Sequence, residues 1–208
     1  MNRVEELVKR YPELAPEREA VERSIAAVIE CFQRGGKLLV CGNGGSAADA
    51  DHMAGELLKG FEKKRPLPEA LRREIDRQYG GAVFSDGLQM GLPVINLATH
   101  SALQTAFAND CDYTSVFAQL VLTYGREGDV LMGISTSGNS ENVLRAVAVA
   151  KARGVKTLAL TGKDGGRLKA AAEVSVCVPG VRARQIQELH LPVYHAICLA
   201  VEDALFQT

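Results

Sequence analysis

The spacing of apolar residues changes along the chain. Over region 1–34 it is helical. Val21, Ile25, Val28, Ile29 and Phe32 form one stripe in EREAVERSIAAVIECFQR, after a shorter helical run over 4–9 that ends before Pro12. Gly35-Gly36 closes this region, as glycine does past a last helical turn. The pattern then switches to short, continuous apolar runs: KLLVC (37–41), PVINLA (93–98), DVLMGI (129–134), VKTLAL (155–160) and VSVCV (174–178). These predict five strands, apolar throughout because both sheet faces are covered. Helical patterns separate them at 46–59, 101–123, 140–153 and 164–172, and a last helix is predicted over 184–206, kinked or cut short by Pro192. Strands alternating with helices predict an α/β fold on a parallel sheet with right-handed crossovers. One stretch, 67–92, breaks the alternation with a polar helical piece, a Gly80-Gly81 break and a loop. It reads as an insertion, either a solvated surface element or a lid or interface flap.

Composition narrows the classes. The 208 residues suit one domain, and 47% apolar with 24% charged residues is enough to bury a core. There is no Trp and only 5% aromatics, so that core must be Leu, Val, Ile and Ala. A net charge of -1 argues against a nucleic-acid partner. No apolar run approaches the roughly 18 residues of a membrane span. The start, MNRVEELVKRYPE, is charged from its third residue, against a secretory signal. Five cysteines without paired spacing point to reduced thiols in the cytoplasm, with Cys177 and Cys198 in the core.

Two glycine- and serine-rich turns carry the candidate chemistry. The first strand runs into CGNGGSAADA (41–50), and the third into GISTSGNS (133–140). Each precedes a helix whose N-terminal N–H groups and dipole favour an anion. Ser135, Thr136, Ser137 and Ser140 add hydroxyls around Gly138, which suits a phosphate monoester. In a doubly wound sheet ordered 2-1-3-4-5, strands 1 and 3 flank the switch-point crevice, so both turns face one pocket. Gly42, Gly44 and Ala47 also fit the G-x-G-x-x-A dinucleotide spacing. That reading fails, because the next strand begins only at 93 and ends in Ala98-Thr99-His100 without the acidic residue that would hold a ribose.

Ionisable residues lie on the neighbouring helices. His52 and Glu56, four apart, share a face of the helix that starts at the first turn. On the last helix Gln187 and His195 are eight apart and can share a face, while His190 lies on another. A two-His, one-Glu set from two helices could bind Zn²⁺; a surface pair and a core histidine are the alternative.

CGNGGSAADADHMAGEL, ISTSGNSENV, LTGKDGG and IQELHLPVYH resemble, in order and spacing, the blocks of the SIS (sugar isomerase) domain family, closest to its phosphoheptose isomerase branch. The resemblance spans nearly the whole chain apart from 67–92. It implies a single flavodoxin-like SIS domain over 1–208 and a homotetramer with active sites at subunit interfaces. It implies that Ser135, Thr136, Ser137 and Ser140 hold a phosphate, and that Asn43, Gly44, Ser46, Asp110 and Gln187 contact the sugar. Glu56 and His195 match the family's acid–base pair. His52, Glu56, Gln187 and His195 match positions that bind Zn²⁺ in some members. The implied reaction converts sedoheptulose 7-phosphate to D-glycero-D-manno-heptose 7-phosphate through a cis-enediol.

Three positions depart from the family pattern. Gly60, beside Lys59, stands where an Arg is common, His100 where an Asp is usual, and Arg184 where some members carry Asp, so a more cationic pocket is expected. The rivals are an isomerase of another phosphosugar, a sugar-phosphate-sensing regulator, and a non-catalytic adaptor that binds the replication initiator. Joint retention of Glu56, Gln187 and His195 favours the enzyme.

Overall fold

The computed structural model describes residues 2–81 and 83–206. These form five strands, β1 (Leu38–Cys41), β2 (Val94–Asn96), β3 (Val130–Ser135), β4 (Lys156–Gly162) and β5 (Val174–Val178), all parallel in the order β2-β1-β3-β4-β5. Successive strand residues point to opposite faces, and both faces are buried. Leu38 and Val40 pack into one core with α1 (Arg3–Arg10), α2 (Arg18–Gln33), α3 (Gly45–Leu58) and α9 (Ala183–Leu205). Leu39 and Cys41 pack into the other with α6 (Val116–Tyr124), α7 (Glu141–Ala152) and α8 (Gly166–Ala171). Cys177 and Cys198 are buried as expected.

Three elements differ from their sequence expectation. The 101–123 pattern is two helices, α5 (Ser101–Asp110) and α6, because Asp112 caps the backbone N–H of Thr114 and starts a new turn at Tyr113–Ser115. β2 stops at Asn96, whose side chain accepts from Ala98 N–H and opens a 3-10 turn. The last helix runs through Pro192 to Leu205 without breaking. The insertion holds α4 (Glu69–Gln78), none of whose residues is buried, followed by left-handed Gly80 and Gly81. Its return is anchored on the end of α3, where Leu92 N–H donates to the Leu57 carbonyl at 3.0 Å.

His190 sits wholly buried in α9, its Nε2 3.1 Å from the Thr161 carbonyl and its Nδ1 without a partner. Burial pushes its pKa down to about 4, against the opposing Thr161 bond. The unfolded chain therefore takes up this proton first as the pH falls. Its contribution to stability is complete above about pH 6.5 and is lost towards pH 4, by about 3 kcal/mol. Urea midpoints of the parent should thus fall more steeply over that window than those of His190→Gln. Equal slopes would refute the assignment.

Candidate active site

The turn after β1 is built for close packing. A Cβ on Gly42 would lie 2.6 Å from the Ser46 carbonyl oxygen, and Gly44 is left-handed at φ +56°. Ser46 is buried in the first turn of α3, and Asn43 is exposed at the tip. The turn after β3 has the same character. Gly138 is left-handed at φ +64°, and a Cβ there would collide with the Gly165 carbonyl. The segment after β4 buttresses it: Leu168 N–H donates to the Gly138 carbonyl at 2.8 Å, and Arg167 N–H to Asn139 Oδ1 at 3.1 Å. The Ser135 and Ser140 hydroxyls are 2.9 Å apart, with Thr136 half-buried and Ser137 exposed between them.

A reciprocal amide pair joins the two turns. Asn43 Nδ2 donates to Asn142 Oδ1, and Asn142 Nδ2 to Asn43 Oδ1, each at 2.9 Å. The β1 turn and the start of α7 thus meet at the β1/β3 switch point, where ligands bind in open α/β sheets. Asp110 ends α5 on the surface, its carboxylate accepting from Asn109, without a hydrogen bond to either turn.

Helices α3 and α9 run side by side from this crevice. At their start Gln187 lies over Gly45, where a Cβ would collide with its amide nitrogen. Further along, His52 Nε2 is 3.2 Å from Glu56 Oε1, and the His52 and His195 rings meet edge-on with centroids 5.0 Å apart. Eight residues of helix rise about 12 Å, which places Gln187 by the turns and His195 by Glu56. The structure therefore gathers His52, Glu56 and His195, and leaves Gln187 at the other end. Burial, and then His52, holds the His195 imidazole below its ordinary pKa, with Glu56 opposing, so it is neutral near pH 7.

Two imidazoles and a carboxylate are donors that Zn²⁺ accepts. His195 Nε2 is buried without a hydrogen-bond partner, as an open ligand atom would be. Among the described residues no three His, Cys, Asp or Glu side chains are already spaced to hold a metal ion. The donor chemistry fits such an ion; a closed cage is not formed.

A family model for the SIS domain matches residues 1–77 and 70–162. The chain belongs to the SIS domain family. Relatives include the phosphoheptose isomerase of Thiobacillus denitrificans, 42% identical over 89% of this chain and 83% of that protein. That of Helicobacter pylori is 40% identical over 88% and 83%. Among solved structures, phosphoheptose isomerase GmhA from Neisseria gonorrhoeae superposes with a TM-score of 0.76 at 35% identity, covering 95% of this chain and 94% of that one. These matches set this SIS domain among the phosphoheptose isomerases.

Of the departures from the family pattern, Gly60 has a local cause. A Cβ on Gly60 would collide with the Lys63 carbonyl, so an Arg is excluded from this turn, and Lys59 Nζ stands 3.7 Å from Glu56 Oε2 instead. His100 packs against Tyr124, and Arg184 is exposed in the first turn of α9. Sequence reasoning missed Asn142, Arg65 and Glu202, and also Tyr194, whose hydroxyl is 2.9 Å from His52 Nδ1. Asn142 stood inside a quoted block, two residues past Ser140. The Arg65–Glu202 pair lies 137 residues apart and left no local signal.

Proposed function

We propose that this isomerase converts sedoheptulose 7-phosphate to D-glycero-D-manno-heptose 7-phosphate through a cis-enediol. The observation that carries the reading is the Asn43–Asn142 pair, which unites the two anion-favouring turns at the start of α3, the helix that carries His52 and Glu56 further along to meet His195. Ser135, Thr136, Ser137 and Ser140 take the phosphate, with the start of α7 supplying dipole and N–H groups. Asn43, Gly44, Ser46, Asp110 and Gln187 orient the sugar.

Glu56 Oε1 is engaged by His52, so Oε2 serves as the base. It takes the proton from C1 of the ketose and returns it to C2. His195, neutral near pH 7, gives a proton to O2 and recovers one from O1, so both groups end as they began. His52, Glu56 and His195 would hold Zn²⁺, with Gln187 as the fourth ligand position that the resemblance implies, and the ion when bound would supply Lewis-acid stabilisation of the enediolate charge.

We read the chain as one SIS domain, with its N-terminal helices over 1–34 and the insertion over 67–92. Its assembly is a homotetramer with sites at subunit interfaces. A cavity of about 350 Å³ between α1 and α9, with His195 and Phe61 in its wall, supports a site that another subunit completes. Cytoplasmic residence is supported by five free cysteines. Among the described residues no helix is long and apolar enough to cross a membrane.

The test is an NMR-monitored assay of the purified protein with sedoheptulose 7-phosphate beside five- and six-carbon ketose phosphates. Conversion of the seven-carbon sugar is expected to dominate. Turnover of a shorter ketose alone would reassign the substrate, and no turnover at all would favour a sensing or adaptor role.

A further inference from the structure

The end of α3, where Glu56 sits, is held by two buried charges that have no role in the scheme above. Arg65 turns its guanidinium back on the last turn of that helix. Its Nη1 donates to the Leu57 carbonyl at 2.8 Å, and its Nη2 lies 3.4 Å from the carbonyl of Glu56 itself. The same guanidinium reaches Glu202 Oε1 through Nε at 2.9 Å and Nη2 at 2.8 Å. Glu202 stands on α9 two turns beyond His195 and on the same face. It also accepts from Phe61 N–H at 2.8 Å, and the Phe61 ring meets the His195 imidazole edge-on, with centroids 5.2 Å apart. We propose that Arg65 and Glu202 are a positioning pair, which sets Glu56 on α3 against His195 on α9.

The last carbonyls of a helix have no partner within it, so the groups that take them decide where the helix end lies. A guanidinium suits this place: it carries donors in a planar fork, and its charge is favoured at a helix C-terminus. Here one fork takes carbonyls of α3 and a carboxylate of α9 together. The two helices cannot slide past each other without breaking a buried, charge-assisted hydrogen bond. Glu202 acts from the other side, fixing Phe61 against His195. The segment between them is tied down as well, since Met90 N–H donates to the Arg65 carbonyl at 2.7 Å. A lysine at 65 could still face Glu202, but it has no fork to span both helices. Proton transfer is sensitive to such placement: a shift of about 1 Å costs roughly a hundredfold in rate. The phosphate turns, at the far end of α3, lie outside the reach of the pair.

The effect on turnover rests on the isomerase reading; the placement of the helices does not. Two variants test the pair. Arg65→Lys keeps a charge opposite Glu202, and Arg65→Met with Glu202→Leu leaves no lone charge in the core. In both kcat should fall, by roughly a hundredfold in the double variant, with KM within about threefold. Val121→Ala, in the core on the other sheet face, measures the effect of lost stability alone and should keep kcat within about twofold. Crystal structures of the variants should show the end of α3 displaced against His195 by about 1 Å. A folded double variant with parental kcat, or a loss confined to KM, would overturn the proposal. So would an equal loss of kcat in Val121→Ala. Should the double variant not fold, parental kcat in Arg65→Lys would overturn it. Unchanged placement of Glu56 and His195 in the crystals would do so whatever the turnover. If the placement shifts as stated while the parent turns over no sugar phosphate, the isomerase reading fails and the positioning role stands.

Discussion

Glu56→Gln is expected to lower kcat by about 10²- to 10⁴-fold, the contribution of a positioned general base. The amide has nearly the same shape, and its oxygen can still accept from His52 Nε2. It has no basic oxygen to take the C1 proton. The fold should persist, because Glu56 is only partly buried and the core faces of α3 are Ala50, Met53, Ala54 and Leu57. Substrate affinity should change little, since the phosphate turns lie at the other end of the helix. Deuterium uptake from D₂O into unreacted substrate separates the roles. It should vanish in Glu56→Gln, because it requires the carbon proton to leave. A variant that retains kcat within threefold, or that still exchanges the carbon proton, would remove Glu56 from the mechanism.

What could be read before the coordinates were known follows from the range of the forces involved. Strands β1 to β5 show as apolar runs because a doubly covered parallel sheet leaves no polar face. The phosphate turns show because glycines and hydroxyls must be adjacent in sequence to line one turn. His52 and Glu56 show because helical geometry places i and i+4 side by side. The boundary between α5 and α6 was hidden, since apolar spacing continues across it while the break depends on one aspartate cap at Asp112. Pro192 does not end the last helix: packing of α9 against α2 and α3 outweighs the lost hydrogen bond. The Asn43–Asn142 pair, the Tyr194–His52 bond and the Arg65–Glu202 pair were beyond reach for a common reason. Each is a polar contact between distant elements, and no periodicity encodes it.

The last of these pairs carries the largest expected effect on stability. Glu202, on α9, is buried and accepts five contacts: backbone N–H groups of Phe61, Glu62 and Lys63 at 2.8, 2.9 and 3.0 Å, and Arg65 Nε and Nη2 at 2.9 and 2.8 Å. Burial works to raise its pKa, but these donors win and hold the carboxyl below its usual range. Arg65, itself 1% exposed, also donates to the Leu57 carbonyl at 2.8 Å and stacks over Phe206. The pair thus satisfies the end of α3 and folds the 59–65 segment behind Glu56. Glu202→Ala would strand a buried guanidinium and three N–H groups, at a cost of about 3–5 kcal/mol. For a chain of this size that is a fall in Tm of roughly 6–20 °C. Glu202→Gln, which keeps one carbonyl acceptor, should lose less. Arg65→Met with Glu202→Leu should recover part of the loss, because neither charge is then left alone in the core. Calorimetry of the four proteins would decide it. A Glu202→Ala variant melting within 2 °C of the parent would show that water reaches these donors and that the pair does not hold the segment.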